Sequence, residues 1–377
     1  MTYSDTELDL RTQFPMLDDN KTYLDSASTS FTPQCVIDDI NDYLTHHQSN
    51  YNRGANDLVY NITNRVNSVR KKVAEFIHAE ESEISFTSGA TQGSQMIIDN
   101  FALNELGDGD EILLCQMDHS STINPWIKLK ETLFNRDVNI VIKDILIDIQ
   151  GDYNEEDLLS KVNSNTKYII LTHIHNVFGL EMGIKELVAD IRKINQDVIV
   201  VLDASQSIGH IGVYVDDLDV DFLYFSGHKM FAPTGIGVLY VKNCRFENIE
   251  LGTPNILGII GLGAAIDFIN EIGLDKIESH IYMLTRYLYE QLVDIREIEF
   301  NKGLAMCKCA LGYGILSFKH NKYSSEDINE ALNYYKIYVR ANHFCQEGQD
   351  DYIRVSLNIY NNKKDIDRLI KVIKSLE

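Results

Sequence analysis

The sequence predicts an α/β protein, with a large domain built on a mainly parallel β-sheet covered by helices and a smaller α+β domain after it. Helical and strand patterns alternate from residue 62 to residue 241. The strands predicted at 167–174 and 197–204 are nearly continuous apolar runs, which are typical of parallel strands buried on both faces. After about residue 258 the pattern changes to helices and shorter strands.

Each element is predicted from its own periodicity. Helices are expected at 62–79, 89–102, 184–194, 258–273, 275–296 and 363–376, and strands at 83–86, 111–116, 167–174, 197–204, 220–225 and 237–241. In the first helix Val66, Val69, Val73 and Phe76 recur at helical spacing and share one face. We predict a large domain over 21–257 and a small domain formed by 1–20 and 258–377.

Composition narrows the classes of function. The 377 residues contain 34 Lys and Arg against 56 Asp and Glu, a net charge of −22 that disfavours nucleic acid and anionic membranes as partners. There is no run of 18 apolar residues and the N-terminus is polar, so we expect no membrane span, no signal peptide and a cytoplasmic location. In that reducing compartment the six cysteines are not expected to form disulfides. Cys307 and Cys309 lack a second ligand cluster, so no metal site is predicted.

Polar side chains follow five of the predicted strands. They are Thr87, Ser88 and Thr91; Asp118 and His119; His175 and Asn176; Asp203, Ser205 and Gln206; and Ser226, His228 and Lys229. Open parallel sheets bind ligands at the carboxyl ends of their strands. The sequence therefore predicts a ligand site at this edge of the sheet.

Lys229 indicates the chemistry of that site. It lies between two apolar strand runs, where a charged ammonium is costly and a neutral, nucleophilic amine is favoured. The natural partner of such an amine is a carbonyl group. Pyridoxal phosphate needs a lysine, an acid beside its pyridine nitrogen and an anion site for its phosphate. Asp203 is the predicted acid.

The other strand-end residues supply the remaining contacts. A helix that begins near Ala90 and Thr91 offers backbone N–H groups to a phosphate. We predict Thr91, Ser226 and His228 as further phosphate donors, His119 as a ring stacked on the cofactor, and Asn176 and Gln206 as partners of its phenolic oxygen. Alone, each residue has an ordinary explanation, such as a surface position for Lys229 or a helix cap for Asp203. Their combination favours the cofactor.

Two other motifs compete with this interpretation. Ser226 and Lys229 fit the S-x-x-K pattern of penicillin-binding enzymes, but the chain lacks S-D-N and K-T-G. Residues 261–266, "GLGAAI", approach the dinucleotide motif G-x-G-x-x-G, but Ile266 replaces the third small residue and no strand precedes them. Neither motif is favoured.

The segments "DASQSIGH" (203–210) and "DFLYFSGHKMFAPTGIGVLYV" (221–241) resemble the class V group of fold-type I pyridoxal-phosphate enzymes. Within that group the sequence is most similar to group II cysteine desulfurases and selenocysteine lyases. Matching segments follow in order: "YLDSAS" (23–28), "NRG" (52–54), "FTSGAT" (86–91), "QMDHSSTINPW" (116–126), "HNVFG" (175–179), "GTPN" (252–255), "VRANHFC" (339–345) and "RVSLNIYN" (354–361). The resemblance implies a seven-stranded, mainly parallel sheet in the large domain and a homodimer.

The resemblance also implies roles at the substrate end of the site. Cys345 is expected to be the sulfur-accepting nucleophile, Arg354 to hold the substrate carboxylate with Asn176 nearby, and Arg340 to lie near the cysteine. Thr253 is expected to reach the cofactor phosphate of the partner subunit. The implied reaction converts L-cysteine to L-alanine and leaves a persulfide on Cys345 for a sulfur-acceptor protein. Selenocysteine and other sulfur amino acids are alternative substrates.

Departures from the family pattern leave other activities open. Asn52, Asn56 and Ser120 stand where relatives often carry histidine, and Gln92 stands where they often carry glutamate. Only nine residues separate Lys242 from Gly252, and only eight separate Cys345 from Arg354. Another class V activity, as a carbon–sulfur lyase, aminotransferase or epimerase, therefore remains an alternative. A non-catalytic binding protein is disfavoured by the intact Lys229, Asp203 and His119.

Overall fold

The structure is a computed structural model, and it describes residues 8–18, 20–148, 152–244, 252–300, 313–342, 344 and 351–376. Three cysteines that the sequence analysis singled out, Cys307, Cys309 and Cys345, lie outside the described residues.

Thirteen strands and twelve α-helices are described in these parts of the chain. The strands are β1 (Thr22–Tyr23), β2 (Ile84–Thr87), β3 (Glu111–Leu114), β4 (Val141–Asp144), β5 (Thr166–Thr172), β6 (Ile199–Asp203), β7 (Phe222–Ser226), β8 (Gly237–Val241), β9 (Ile298–Phe300), β10 (Ile315–His320), β11 (Ile337–Tyr338), β12 (Arg340–Ala341) and β13 (Ile353–Ser356). The helices are α1 (Gln34–Asp42), α2 (Asp57–Ile77), α3 (Ala90–Ile97), α4 (Leu103–Glu105), α5 (Ser120–Phe134), α6 (Glu155–Lys161), α7 (Ile184–Ile194), α8 (Val215–Leu218), α9 (Ile256–Ile272), α10 (Leu274–Leu292), α11 (Ser325–Tyr334) and α12 (Lys363–Lys374).

The larger sheet has seven strands in the order β2-β8-β7-β6-β5-β3-β4. All neighbouring pairs are parallel except those of β8, which is antiparallel to both β2 and β7. The predicted seven-stranded, mainly parallel sheet is therefore confirmed. Successive side chains of a strand point to opposite faces of the sheet. Its strands are apolar on both faces because helices cover both sides. In β7, Leu223 and Phe225 join the core beneath α2 and α9, whereas Phe222 and Tyr224 join the core beneath α3 and α5.

A second, antiparallel sheet has the order β12-β13-β10-β9. Together with α10, α11 and α12 it surrounds a separate apolar cluster, to which Leu24 also belongs. Helix α9 packs instead against α1 and α2, where a Cβ atom on Gly263 would lie 2.6 Å from Val69 Cγ2. The division of the chain at residue 257 stays a prediction.

The N-terminal residues contact elements from the far end of the chain. The backbone N–H of Leu8 donates to His280 Nδ1 on α10 at 3.0 Å, and Arg11 pairs with Asp365 on α12 at 3.1 Å. Phe14 is buried, with its ring centroid 4.8 Å from that of Tyr360. These contacts hold the start of the chain against α10 and α12 and against the core of the larger sheet.

Most helix bounds follow the sequence pattern closely. Helix α7 coincides with the predicted range 184–194, but α2 begins at Asp57, five residues before the predicted start at 62. The earlier start has a cap: Asn56 Oδ1 accepts a hydrogen bond from Val59 N at 3.1 Å. Among the described helices none is by itself long and apolar enough to cross a bilayer, and α9 and α10 meet those criteria only as a pair bent by 78°.

Candidate active site

The carboxyl ends of β5, β6 and β7 and the N-terminus of α3 surround a cavity of about 260 Å³. Among the residues that line it are the following predicted site residues: Ala90, Thr91, His119, Asn176, Asp203, Gln206, Ser226, His228, Lys229, Arg340 and Arg354. Thr253 does not line this cavity and is exposed on the surface beside Gln92 and Pro254. Its predicted role in the partner subunit therefore stays a prediction.

Lys229 lies in a single 3₁₀ turn, Gly227–Lys229, that follows β7 directly. Ser30 holds the backbone on both sides of it, at His228 and Phe231. The carbonyl oxygen of His228 accepts hydrogen bonds from Ser30 N at 2.8 Å and Ser30 Oγ at 2.9 Å, and Phe231 N donates to Ser30 Oγ at 2.8 Å. Phe231 has a φ of 72°, which is strained for an aromatic residue. The turn is therefore held in one conformation that presents Lys229 to the cavity.

Asp203 is the last residue of β6, and both of its carboxylate oxygens are held. Thr122 Oγ1 donates to Oδ2 at 2.7 Å, and Ser205 N donates to Oδ1 at 2.9 Å. The residue is 5% exposed and lines the cavity. A fixed, buried carboxylate of this kind can hold a proton on a facing ring nitrogen.

His119 caps α5 with its side chain. Its Nδ1 accepts a hydrogen bond from Ser121 N at 3.1 Å and lies 2.7 Å from Ser121 Oγ. Burial, together with the positive charge of Lys229, lowers the pKa of His119 to about 4. The imidazole is therefore neutral at pH 7, with its proton on Nε2 because Nδ1 accepts. An uncharged ring in this position is suited to stacking on a flat aromatic ligand.

The start of α3 lines one end of the cavity through Ala90 and Thr91. Ser226 Oγ accepts a hydrogen bond from Ala90 N at 2.9 Å, which joins the end of β7 to the first turn of α3. Gly89 has a φ of 152°, and a Cβ atom there would lie 3.2 Å from Ser226 Oγ. The N-terminal end of a helix with small residues around it can bind a phosphate. Burial and Lys229 lower the pKa of His228 to about 4, so this histidine is a neutral neighbour of the site.

Arg354 on β13 forms the opposite end of the cavity. It is 4% exposed, and its Nη1 donates to the carbonyl oxygen of Asn176 at 2.9 Å. Its Nη2 donates to Asp25 Oδ1 at 2.8 Å and to Ser28 Oγ at 2.7 Å. Burial lowers the pKa of Arg354, and the Asp25 carboxylate opposes that shift. Arg340 is the register partner of Arg354 on β12, so two guanidinium groups face the same end of the cavity.

The family model for aminotransferase class-V matches residues 22–251 and 245–369 of the chain. The chain belongs to the aminotransferase class-V family. A probable cysteine desulfurase from Halalkalibacterium halodurans is 32% identical to it over 402 residues, covering 96% of each chain. A cysteine desulfurase from Salmonella typhimurium is 32% identical over 383 residues, covering 92% of this chain and 91% of the relative.

Solved structures of cysteine desulfurases superpose on this chain over nearly its whole length. The apo cysteine desulfurase from Thermococcus onnurineus superposes with a TM-score of 0.88 at 28% identity, covering 100% of this chain and 98% of that one. A cysteine desulfurase from Escherichia coli gives a TM-score of 0.84 at 25% identity, covering 97% of both chains. The predictions of a fold-type I, pyridoxal-phosphate-dependent class V enzyme of the cysteine desulfurase type are confirmed.

The cavity of this class V enzyme fits pyridoxal phosphate. Among the described residues, three buried polar atoms at the cavity have no hydrogen-bond partner: Thr172 Oγ1, Ser205 Oγ and Arg354 Nε. Such groups are costly unless a ligand satisfies them. Lys229, Asp203, His119 and the start of α3 supply the amine, acid, stacking ring and anion site that the cofactor requires. Within the described residues there is no group of three or more His, Cys, Asp or Glu placed to hold a metal ion.

Several of these contacts were not predicted from the sequence. Ser205 was noted at a strand end without a role, and Thr122 was not singled out. Asp25 and Ser28 belong to the matched segment "YLDSAS", but nothing in their spacing connects them with Arg354, which is 329 residues from Asp25. Of the rival motifs, 261–266 lies inside α9, where Gly261 and Gly263 serve close packing.

Proposed function

We propose that this protein is a cysteine desulfurase that converts L-cysteine to L-alanine and retains the sulfur as a persulfide on Cys345. The observation that carries the proposal is the arrangement of Lys229, Asp203, His119 and Arg354 around one cavity in a chain of this family. The arrangement supports the proposal because the amine of Lys229 and the guanidinium of Arg354 line the same cavity.

We call the end of the cavity near Lys229, Asp203, His119 and the start of α3 the cofactor end. Each residue there has one proposed role. Asp203, fixed by Thr122 and Ser205, keeps a proton on the pyridine nitrogen. His119 covers the ring as a neutral imidazole, and the N–H groups at the start of α3 bind the phosphate. When bound, pyridoxal phosphate supplies an aldehyde for amine groups and a ring that withdraws electrons from the substrate Cα.

At the substrate end, Arg354 binds the α-carboxylate. Its position is fixed by Asp25, Ser28 and the carbonyl oxygen of Asn176, and its buried Nε remains to donate to a ligand. Binding of the carboxylate orients the Cα–H bond toward the amine of Lys229. Lys229, as a neutral amine, then accepts the Cα proton.

Cys345 is proposed as the sulfur acceptor from its sequence position. It lies outside the described residues, but the preceding residue, Phe344, lines the cavity, as does Arg340. A thiolate there attacks the substrate sulfur as the Cβ–S bond breaks, and alanine leaves. The family resemblance implies that Arg340 lies near this cysteine, where its positive charge is expected to favour the thiolate form.

The partners and compartment are also proposals. We expect a homodimer in which Thr253 reaches the cofactor phosphate of the partner subunit, since this exposed residue borders the outer side of the α3 start. The persulfide passes to a sulfur-acceptor protein or to a small thiol. A cytoplasmic location suits a reactive thiol that must remain reduced between turnovers.

The test is to incubate the purified holoenzyme with L-cysteine, with and without a reductant, and to measure alanine, pyruvate and sulfide. We expect alanine, and one sulfide per alanine only when the reductant is present. Pyruvate with free sulfide would indicate a carbon–sulfur lyase, the alternative that the short 346–353 segment leaves open. Selenocysteine in place of cysteine should also give alanine.

A further inference from the structure

The guanidinium group of Arg354 already has an anion beside it. Asp25 Oδ1 accepts from Arg354 Nη2 at 2.8 Å, and Ser28 Oγ bridges the pair by donating to Asp25 Oδ1 at 2.8 Å. The side chains of Arg354 and Asp25 are 5% and 17% exposed. Arg354 and Ser28 line the cavity, whereas Asp25 does not. The carboxylate therefore lies behind the guanidinium, and the remaining donors of Arg354 are left to the cavity.

The Asp25 carboxylate compensates the positive charges at Arg354. Arg340 is the register partner of Arg354, so a second cation lies beside it. Tyr23 is also near, but burial raises the pKa of Tyr23 well above its usual range and keeps it uncharged at neutral pH. Asp25 is therefore the main negative charge that compensates the buried guanidinium. Without it, an unpaired buried cation would attract any small anion.

We propose that Asp25 is a specificity-determining residue, the resident counter-anion of Arg354 that keeps free carboxylates out of the substrate site. The inference rests on the proposed function in one respect, the assignment of Arg354 to the substrate carboxylate. A guanidinium that is already paired gains little from a free carboxylate. An amino acid binds there because its amino group is held at the same time by the cofactor end.

The variant Asp25→Asn tests the charge alone, because the amide oxygen can still accept from Arg354 and Ser28. Acetate, the simplest carboxylate, is the probe. In the Asp25→Asn holoenzyme acetate should inhibit cysteine turnover competitively, with an inhibition constant roughly tenfold or more below that of the wild type. The matched control is Asp217→Asn, which removes the same charge from an exposed pair with Lys185 and should leave acetate inhibition unchanged. Equal inhibition constants in wild type and Asp25→Asn would overturn the proposal.

A second measurement does not depend on turnover. Acetate should raise the melting temperature of the Asp25→Asn holoenzyme more than that of the wild type, and the added Arg354→Gln change should remove the difference. If Asp25→Asn folds poorly, acetate in the refolding buffer should restore the folded protein, and failure of that rescue would also contradict the proposal. A wild type that forms no alanine would refute the proposed function, while the acetate-dependent melting would still test Asp25.

Discussion

The two ends of the cavity are built in different ways. The cofactor end is formed by the carboxyl ends of β5, β6 and β7, three neighbouring strands of one sheet, and by the start of α3 beside them. The substrate end combines β12 and β13 of the second sheet with residues 25–28 near the start of the chain. One sheet fixes the cofactor end, whereas contacts between distant segments must form the substrate end. Substitutions should therefore separate cofactor binding from substrate recognition.

The largest effect is expected at the cofactor end, from Lys229→Ala. The holoenzyme should show a visible absorbance band that borohydride removes, because we propose that the lysine amine holds the cofactor covalently. The variant should lose that borohydride-sensitive band, and alanine formation should fall roughly a thousandfold or more, because both the covalent attachment and the Cα base are absent.

The matched control is Lys242→Ala, which removes a surface lysine paired with Asp219 and should keep both the band and the activity. A Lys229→Ala protein that retains a borohydride-sensitive band would mean that another amine holds the cofactor.

The same contrast explains how much the sequence could predict. The apolar runs of β5, β6 and β7 predicted the sheet. Their order along the chain predicted that Asn176, Asp203 and Lys229 lie at one edge of it. The substrate end came from the family resemblance, because no local pattern relates Arg354 to Asp25 across 329 residues. The early start of α2 was missed because a cap at Asn56, rather than an apolar residue, defines it.

The next largest effect should come from the substrate end. Arg354→Ala should raise KM for cysteine by roughly ten- to a thousandfold, on the order of 1.5–4 kcal/mol, because the α-carboxylate loses its charged partner. The visible absorbance of the bound cofactor should be retained, since the residues of the cofactor end are unchanged. Steady-state kinetics and an absorbance spectrum check both points. An unchanged KM would assign the carboxylate to another residue.

Acid should destabilise the protein through four histidines, of which His119 and His228 line the cavity. Burial lowers the pKa of His175 and of His210 to about 4. The pKa values of His119 and His228 are also lowered to about 4, by burial and by Lys229. Between pH 6.5 and 4 the unfolded chain binds protons that the folded chain does not. The free energy of unfolding should therefore fall as pH drops through this window, by at most about 1.4 kcal/mol per pH unit for each histidine.

Asp118 acts in the opposite sense. Burial raises its pKa to about 7, so its folded form holds a proton that the unfolded chain releases above pH 3.8, and its contribution to stability is lost as pH rises through that window. Urea unfolding at pH 7 and pH 5 should show a net loss at pH 5. Burial also raises the pKa of Asp152, to about 6, so it acts in the same sense as Asp118. Asp118→Asn removes the larger of these two opposing contributions and should make that loss greater. A stability that rises from pH 7 to pH 5 in both proteins would contradict the buried, neutral histidines.

The smallest effect should come from Ser205→Ala. Its buried hydroxyl has no hydrogen-bond partner among the described residues, and we expect it to donate to the bound cofactor. Removing one such bond should weaken cofactor affinity by about 1 kcal/mol, roughly fivefold, with little change in KM for cysteine. Titration of the apoprotein with pyridoxal phosphate gives the affinity. Tighter binding in Ser205→Ala would indicate that the hydroxyl is left unsatisfied by the cofactor.

In the proposed reaction the sulfur atom of the substrate cysteine moves to Cys345. The most direct measurement is mass spectrometry of the peptide that contains Cys345, after one equivalent of L-cysteine is added to the holoenzyme without reductant. We expect one added sulfur atom on Cys345, alanine in equal amount, and no added sulfur on any cysteine of a Cys345→Ala variant that keeps its visible absorbance. Pyruvate and free sulfide with an unmodified Cys345, or full alanine formation by Cys345→Ala, would contradict it.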